Sequence, residues 1–190
     1  GRPLVQKVLY ILGQLREEDI DRLARAGTTE NVEAGAVLIR EARPIDAVFF
    51  VLDGHLEVTS TQGGPIATLG VGEVVGELSM IDKASPSATV TGGAAGALVL
   101  RIGRDELSRR LDDEAQFAAR FYRALAIFLS TRLRATMGRL GYGSSCGDSV
   151  DEAADPRASN EPDETLTDTA HIARERFRRL LARLRDRANG

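Results

Sequence analysis

Between Thr28 and Ile102 the chain is broken into short β-rich runs, among them Val37 to Ile39, Val48 to Leu52, Leu56 to Ser60 and Leu98 to Ile102. Gly- or Asp-containing turns separate them, and no long helical pattern intervenes. Runs this short and evenly spaced predict an antiparallel roll or barrel in place of a parallel sheet. Asp53-Gly54 lies directly between two runs, and Asp-Gly is a strong signal for a tight hairpin because the turn needs positive φ. Gln62-Gly63-Gly64 predicts a second hairpin.

Helical periodicity flanks this region on both sides. From Val5 to Ala26 the apolar positions Val8, Ile11, Leu12, Leu15, Ile20 and Leu23 predict two short helices, with Gly27 as a C-terminal stop. After Ile102 come a helix over Arg104 to Leu111 and a longer one from Asp113 to about Leu140, which sets Phe117, Phe121, Leu125, Phe128 and Leu129 along one stripe. That stripe has two uses, packing on its own domain and self-association, and both can hold along different turns. The expected fold class is α+β: an antiparallel β-roll (double-stranded β-helix or jelly-roll-like) flanked by N-terminal helices and a long C-terminal helix.

Three units follow from this pattern. Residues 1–140 make the folded domain. Residues 141–168 are rich in Asp, Glu, Ser, Ala and Pro with scarcely any large apolar residue, too few to offset chain entropy, and read as an acidic disordered linker. Residues 169–190 set Arg174, Arg176, Arg178, Arg179, Arg183, Arg185 and Arg187 around Ile172, Phe177, Leu180, Leu181 and Leu184, a basic amphipathic helix. Its readings are a solvated or protein-binding helix, or a segment that docks on nucleic acid or an anionic membrane.

Composition narrows the function. With 190 residues, 43% hydrophobic, 28% charged and a net charge of -3, the chain has no global basic bias for nucleic acid. A single cysteine, Cys146, excludes an internal disulfide and points to a reducing compartment. No apolar run approaches a membrane span and no secretory signal opens the chain, so the expected location is cytoplasmic. Because the chain starts at Gly1, residues Gly1 to Pro3 read as an added remnant or as the edge of a larger protein. His55 and His171 lack partners at metal-ligand spacing, and no nucleophile and base pair with a supporting motif occurs. Neither catalysis, nor a metal, nor a cofactor is expected.

The informative segment runs from Gly72 to Val90: Gly-Glu-Val-Val-Gly-Glu-Leu-Ser-Met-Ile-Asp-Lys-Ala-Ser-Pro-Ser-Ala-Thr-Val. A Gly-rich strand end, a short helical turn and a return strand can aim backbone N–H groups at one point, which cradles a phosphate without a lysine. A buried Glu77 beside it can accept hydrogen bonds from sugar hydroxyls, or can cap N–H groups of the turn itself. The segment resembles the phosphate-binding cassette of the family of catabolite activator proteins, protein kinase A regulatory subunits and cyclic-nucleotide-gated channels. Ala34-Gly35 with Val37-Leu38-Ile39, then Phe50 to Val58, then Leu69-Gly70-Val71-Gly72 resemble the family's strands and structural glycines in order.

The resemblance implies that Gly76 and Leu78 offer backbone groups, that Glu77 holds a ribose hydroxyl, and that Ala88 and Thr89 close the cassette near the phosphate of a cyclic nucleotide. Ser87 stands where the family usually places a phosphate-pairing arginine. A charge-assisted bond of that kind contributes about 1.5 to 3 kcal/mol, so its loss weakens a cyclic nucleotide roughly ten- to several hundred-fold. Lys83 is a candidate substitute charge. The expected function is a regulatory sensor of a cyclic nucleotide or related small ligand that signals through its C-terminal helix. The alternative is a degenerate, ligand-free interaction or dimerisation module. Expected partners are a second copy, in a homodimer through residues 113–140, and a protein at the Arg-rich helix. The segment after the long helix is too small for a helix-turn-helix DNA-binding domain.

Overall fold

A computed structural model describes residues 13–62, 64–139 and 164–188. Helix α1 (Glu17–Ala26) starts where the Arg16 N–H donates to Asp19 Oδ2 at 2.8 Å, and Glu17, Glu18 and Asp19 set negative charge on its first turn, where the helix dipole favours it. Asp19 is completely buried. It also takes a two-pronged grip from Arg120 (Nε 2.7 Å, Nη2 2.8 Å) and a contact from Arg22 Nη1 at 3.3 Å. Gly27 ends α1, as the sequence predicts, but in an extended conformation that passes straight into the first strand.

Six strands form one antiparallel sheet: β1 (Gly27–Val32), β2 (Val37–Ile39), β3 (Ala47–Ser60), β4 (Gly64–Leu69), β5 (Val74–Val75) and β6 (Thr89–Gly103). The order is β1-β6-β3-β4, with β2 paired to β6 and β5 to β3. The antiparallel β-roll with flanking helices is the predicted fold class. β3 and β6 pair along nearly their whole lengths, from Ala47↔Gly103 to Thr59↔Thr89. The two long strands bend together, and their halves carry β1 and β5 at one end, β2 and β4 at the other.

The bend corrects one expectation. Asp53-Gly54 does not close a hairpin: β3 runs through it from Ala47 to Ser60. Pairing shifts there, so that β3 passes with His55 alone where β6 spends residues 93–96. Gly54 has φ +69°, and a Cβ on it would stand 2.3 Å from the Gly96 carbonyl oxygen. The positive φ that Asp-Gly signals is therefore used for a bulge that turns the strand. The second expected hairpin is present, with Ser60 opposite Gly64.

Alternation along β3 splits the core into two clusters, because successive side chains leave opposite faces. Phe49, Val51, Leu56 and Val58 point into the roll with Ile39, Leu69, Val75, Val90 and Val99. Val48, Phe50 and Leu52 join Leu100 and Ile102 on the outer face, beneath the helices. Helix α2 (Glu77–Asp82) interrupts the sheet between β5 and β6, and α3 (Arg104–Asp113) leads into the long α4 (Ala115–Arg139). From α4, Phe117, Phe121, Ala124, Leu125 and Phe128 are buried in the outer cluster. The stripe read from the sequence is thus taken up by the chain's own domain over these turns, whereas Tyr122, Leu133 and Met137 stay exposed.

Helix α5 (Glu164–Ala188) begins five residues before the predicted 169. The linker expected over 141–168 otherwise lies outside the described residues. The arginine-rich helix is not a free arm: it folds back on α1, and Ala173, Leu180 and Leu184 complete the outer cluster. Arg179 pairs with Glu17, Arg183 Nε with Asp21 at 3.1 Å, and Arg176 Nη1 donates to the Gly13 carbonyl at 2.7 Å. The acidic start of α1 supplies opposite charge to this helix. No helix among the described residues is long and apolar enough to cross a membrane.

Candidate functional site

A pocket opens into the interior of the roll between α2, the loop that returns to β6, and α4. Ile39, Val58, Val75, Val90 and Ala88 form its apolar wall, and Gly76, Glu77, Ser85 and Ser87 line its polar side. Its volume is about 260 Å³, just below the roughly 300 to 1,000 Å³ of ordinary small-ligand sites.

The local backbone explains how the cassette is held. The loop before β5 is tied to β3 by Val51 N–H to the Glu73 carbonyl (2.9 Å) and Gly72 N–H to the Val51 carbonyl (2.7 Å). Buried Glu73 accepts from the Gly70 N–H at 2.7 Å, which fixes the turn between them. Gly76 then caps α2 at φ +87°, and a Cβ there would sit 2.8 Å from the Ala47 carbonyl oxygen. Only glycine allows both that dihedral and that approach. The return loop is tied down by Ala84 N–H to Asp82 Oδ1 at 2.9 Å and Ala42 N–H to the Pro86 carbonyl at 2.8 Å.

Of the residues singled out in the sequence, Gly76, Glu77, Leu78, Ser87 and Ala88 all line this pocket. Thr89 does not: it starts β6, and its Oγ1 accepts the Glu41 N–H at 3.1 Å. Lys83, the candidate substitute charge, is not among the lining residues although both its neighbours contribute. It caps the C-terminal end of α2 at φ 58° and is exposed.

Glu77 is the electrostatic centre. It is 3% exposed, and its Oε1 lies 3.0 Å from Nη1 of Arg132 on α4. Burial raises the carboxyl above its usual range, opposed by the Arg132 charge, a backbone hydrogen bond within the residue and the Arg132 hydrogen bond. Arg132 also lies over the Phe128 ring, 5.0 Å from its centroid. Sequence reasoning missed Arg132. The signal was the α4 stripe itself: four residues beyond Phe128 it reaches an arginine where an apolar residue would continue it. Among the described residues no group of His, Cys, Asp and Glu could hold a metal ion.

Residues 29–114 match the family model of the cyclic nucleotide-binding domain. Over 106 residues, 55% of this chain, the sequence is 34% identical to a cAMP-dependent protein kinase regulatory subunit of Yarrowia lipolytica, and the matched stretch is 28% of that relative's length. A cyclic nucleotide-binding domain from Methylobacillus flagellatus KT superposes with a TM-score of 0.65 at 22% identity, covering 77% of this chain and 86% of that one. The N-terminal domain of a transcriptional regulator from Streptomyces coelicolor A3(2) gives 0.55 at 26% identity, covering 72% and 94%.

Proposed function

We propose, from the match of residues 29–114 to the family model of the cyclic nucleotide-binding domain, that the chain is a regulatory binding module whose pocket reports its occupancy through α4. The observation that carries this reading is the Glu77–Arg132 pair, 3.0 Å long, which joins the cassette to that helix. A ligand hydroxyl that donates to Glu77 competes with the Arg132 guanidinium for the same carboxylate. Filling the pocket therefore changes what holds α4 beyond Phe128, and a population shift follows from the difference in affinity for the paired and unpaired states. The first two turns of α4 stay anchored by Phe117 and Phe121, so the response concentrates in its second half.

Hydrogen exchange over residues 129–139 tests this, with cyclic AMP, cyclic GMP, adenosine and guanosine each at 1 mM. At least one probe is expected to change protection there, and Arg132→Ala should reproduce the change without ligand. If no probe alters α4, the sensor reading fails and the ligand-free module is left.

That module has its own supporting observation. Tyr122, Leu133 and Met137 lie on one face of α4 at 49%, 61% and 45% exposure, with half-buried Leu129 between them. We assign this face to a symmetric pairing of two copies, since a second α4 offers the same apolar row to itself. Light scattering should give a dimer, and Leu133→Glu a monomer. A wild-type monomer at 100 µM would refute the pairing.

A further inference from the structure

We propose that the pocket selects an uncharged, hydroxyl-bearing ligand with one flat apolar face, of which a nucleoside is the chemical class, over a cyclic phosphate. This inference rests on the sensor reading above.

The charge inventory carries it. The titratable groups that line the pocket among the described residues are Glu77, Asp82 and Arg132, two carboxylates to one guanidinium. The guanidinium is committed: it pairs with Glu77 and lies on the Phe128 ring. Lys83 is not among the lining residues. An entering phosphodiester would meet no uncommitted cation in the pocket and would come close to a carboxylate that is 3% exposed, where screening by water is least. To recruit Arg132 it would have to strip the partner from buried Glu77, and a buried charge left alone is strongly disfavoured.

The remaining groups suit a neutral ligand. Glu77 is an acceptor of high capacity, matched to a vicinal pair of hydroxyls that keeps the carboxylate hydrogen-bonded while Arg132 shifts. Ser85 and Ser87 have hydroxyls that donate or accept but carry no charge, so they serve neutral polar atoms and compensate a phosphate poorly. A charge-assisted bond exceeds a neutral one by roughly tenfold in affinity, so serines in these positions discriminate against the anion by about that factor. Ile39, Val58, Val75 and Val90 offer the wall on which an apolar ring face is desolvated.

Titration calorimetry on the full chain at pH 7.5 tests the proposal with adenosine, guanosine, their 3′,5′-cyclic monophosphates and 2′,3′-dideoxyadenosine. At least one nucleoside is expected to bind tenfold or more tightly than its cyclic monophosphate. If that nucleoside is adenosine, 2′,3′-dideoxyadenosine should fall at least tenfold behind it, because it offers Glu77 no hydroxyl. Ser87→Arg should shift the ratio of the two affinities tenfold or more toward the cyclic monophosphate. A cyclic monophosphate that binds the wild type as tightly as its nucleoside overturns this inference and leaves the sensor reading standing. The inference is equally overturned if only Ser87→Arg binds any probe, or if dideoxyadenosine equals adenosine. Absence of binding by both proteins overturns the inference and the sensor reading together.

Discussion

Asp19 joins α1 to α4, and its removal should be among the most damaging single changes outside the hydrophobic core. In Asp19→Ala the two-pronged bond from Arg120 disappears, along with the acceptor for the Arg16 N–H. Loss of one partner of a buried ion pair costs about 3 to 5 kcal/mol. Two features lower the figure here: the Arg120 side chain keeps 18% exposure, and Glu18 remains 3.6 Å from it. The loss of the helix cap, about 1 kcal/mol, overlaps with the same contact. We expect about 2 to 3 kcal/mol in urea denaturation followed by circular dichroism, and roughly 4 to 12 °C in Tm for a chain of this length. Acid dependence gives an independent check. Burial raises the Asp19 pKa, but the Arg120 bond, the Arg16 N–H and the charges of Arg120 and Arg22 outweigh it and leave the carboxyl below its usual 3.8. A depressed carboxylate stabilises the fold above 3.8, and that stability is lost as pH falls through the lower folded value. Asp19→Asn should therefore cost most near neutrality and progressively less in acid. An Asp19→Ala cost below about 0.5 kcal/mol, or one that is the same at pH 2 and pH 7, would refute the argument.

Three further outcomes follow from particular contacts. Glu77 has the opposite linkage: burial raises its pKa above 4.5, so the folded state keeps a proton the unfolded chain has lost, and stability falls as pH rises through that window. Glu77→Gln should flatten this decline in denaturation midpoints between pH 4.5 and 7.5, and an unchanged slope would assign the decline elsewhere. Gly54→Ala should cost about 3 kcal/mol or more, from the left-handed dihedral and the 2.3 Å approach to Gly96, with wild-type stability as the contrary result. Leu180→Ala should cost about 2 to 5 kcal/mol by the same assay, because α5 completes the core at a site 1% exposed; a cost under about 0.5 kcal/mol would mean α5 is only loosely docked.

The roll was legible in the sequence because its strand runs carry both the apolar content and the turn residues that antiparallel pairing requires. Asp53-Gly54 shows where local signals stop. Positive φ serves a hairpin or a bulge equally, and the choice lies with Gly96, forty-two positions away, which leaves room for the backbone to bend. Gly76, Glu77, Leu78, Ser87 and Ala88 could be picked out together as neighbours around one pocket because the cassette is contiguous in sequence. Arg132 could not, since its pairing with Glu77 spans 55 positions and depends on how α4 lies across the roll. The same holds for α5, whose apolar side fits α1, α4 or a partner equally well until the acidic turn of α1 decides.

That return of α5 to α1 has a kinetic side. Arg183 and Asp21 are separated by 162 positions, so at the usual 5 to 20 residues per second a ribosome takes roughly 8 to 30 s to deliver the second after the first. For that interval α1 lacks the contacts of Arg179 and Arg183 and the cover of Leu180 and Leu184, and the outer face of the nascent roll shows apolar surface to whatever is nearby. Synthesis order thus leaves the cover of α1 incomplete until α5 emerges, and chaperone dependence should track the arrival of α5.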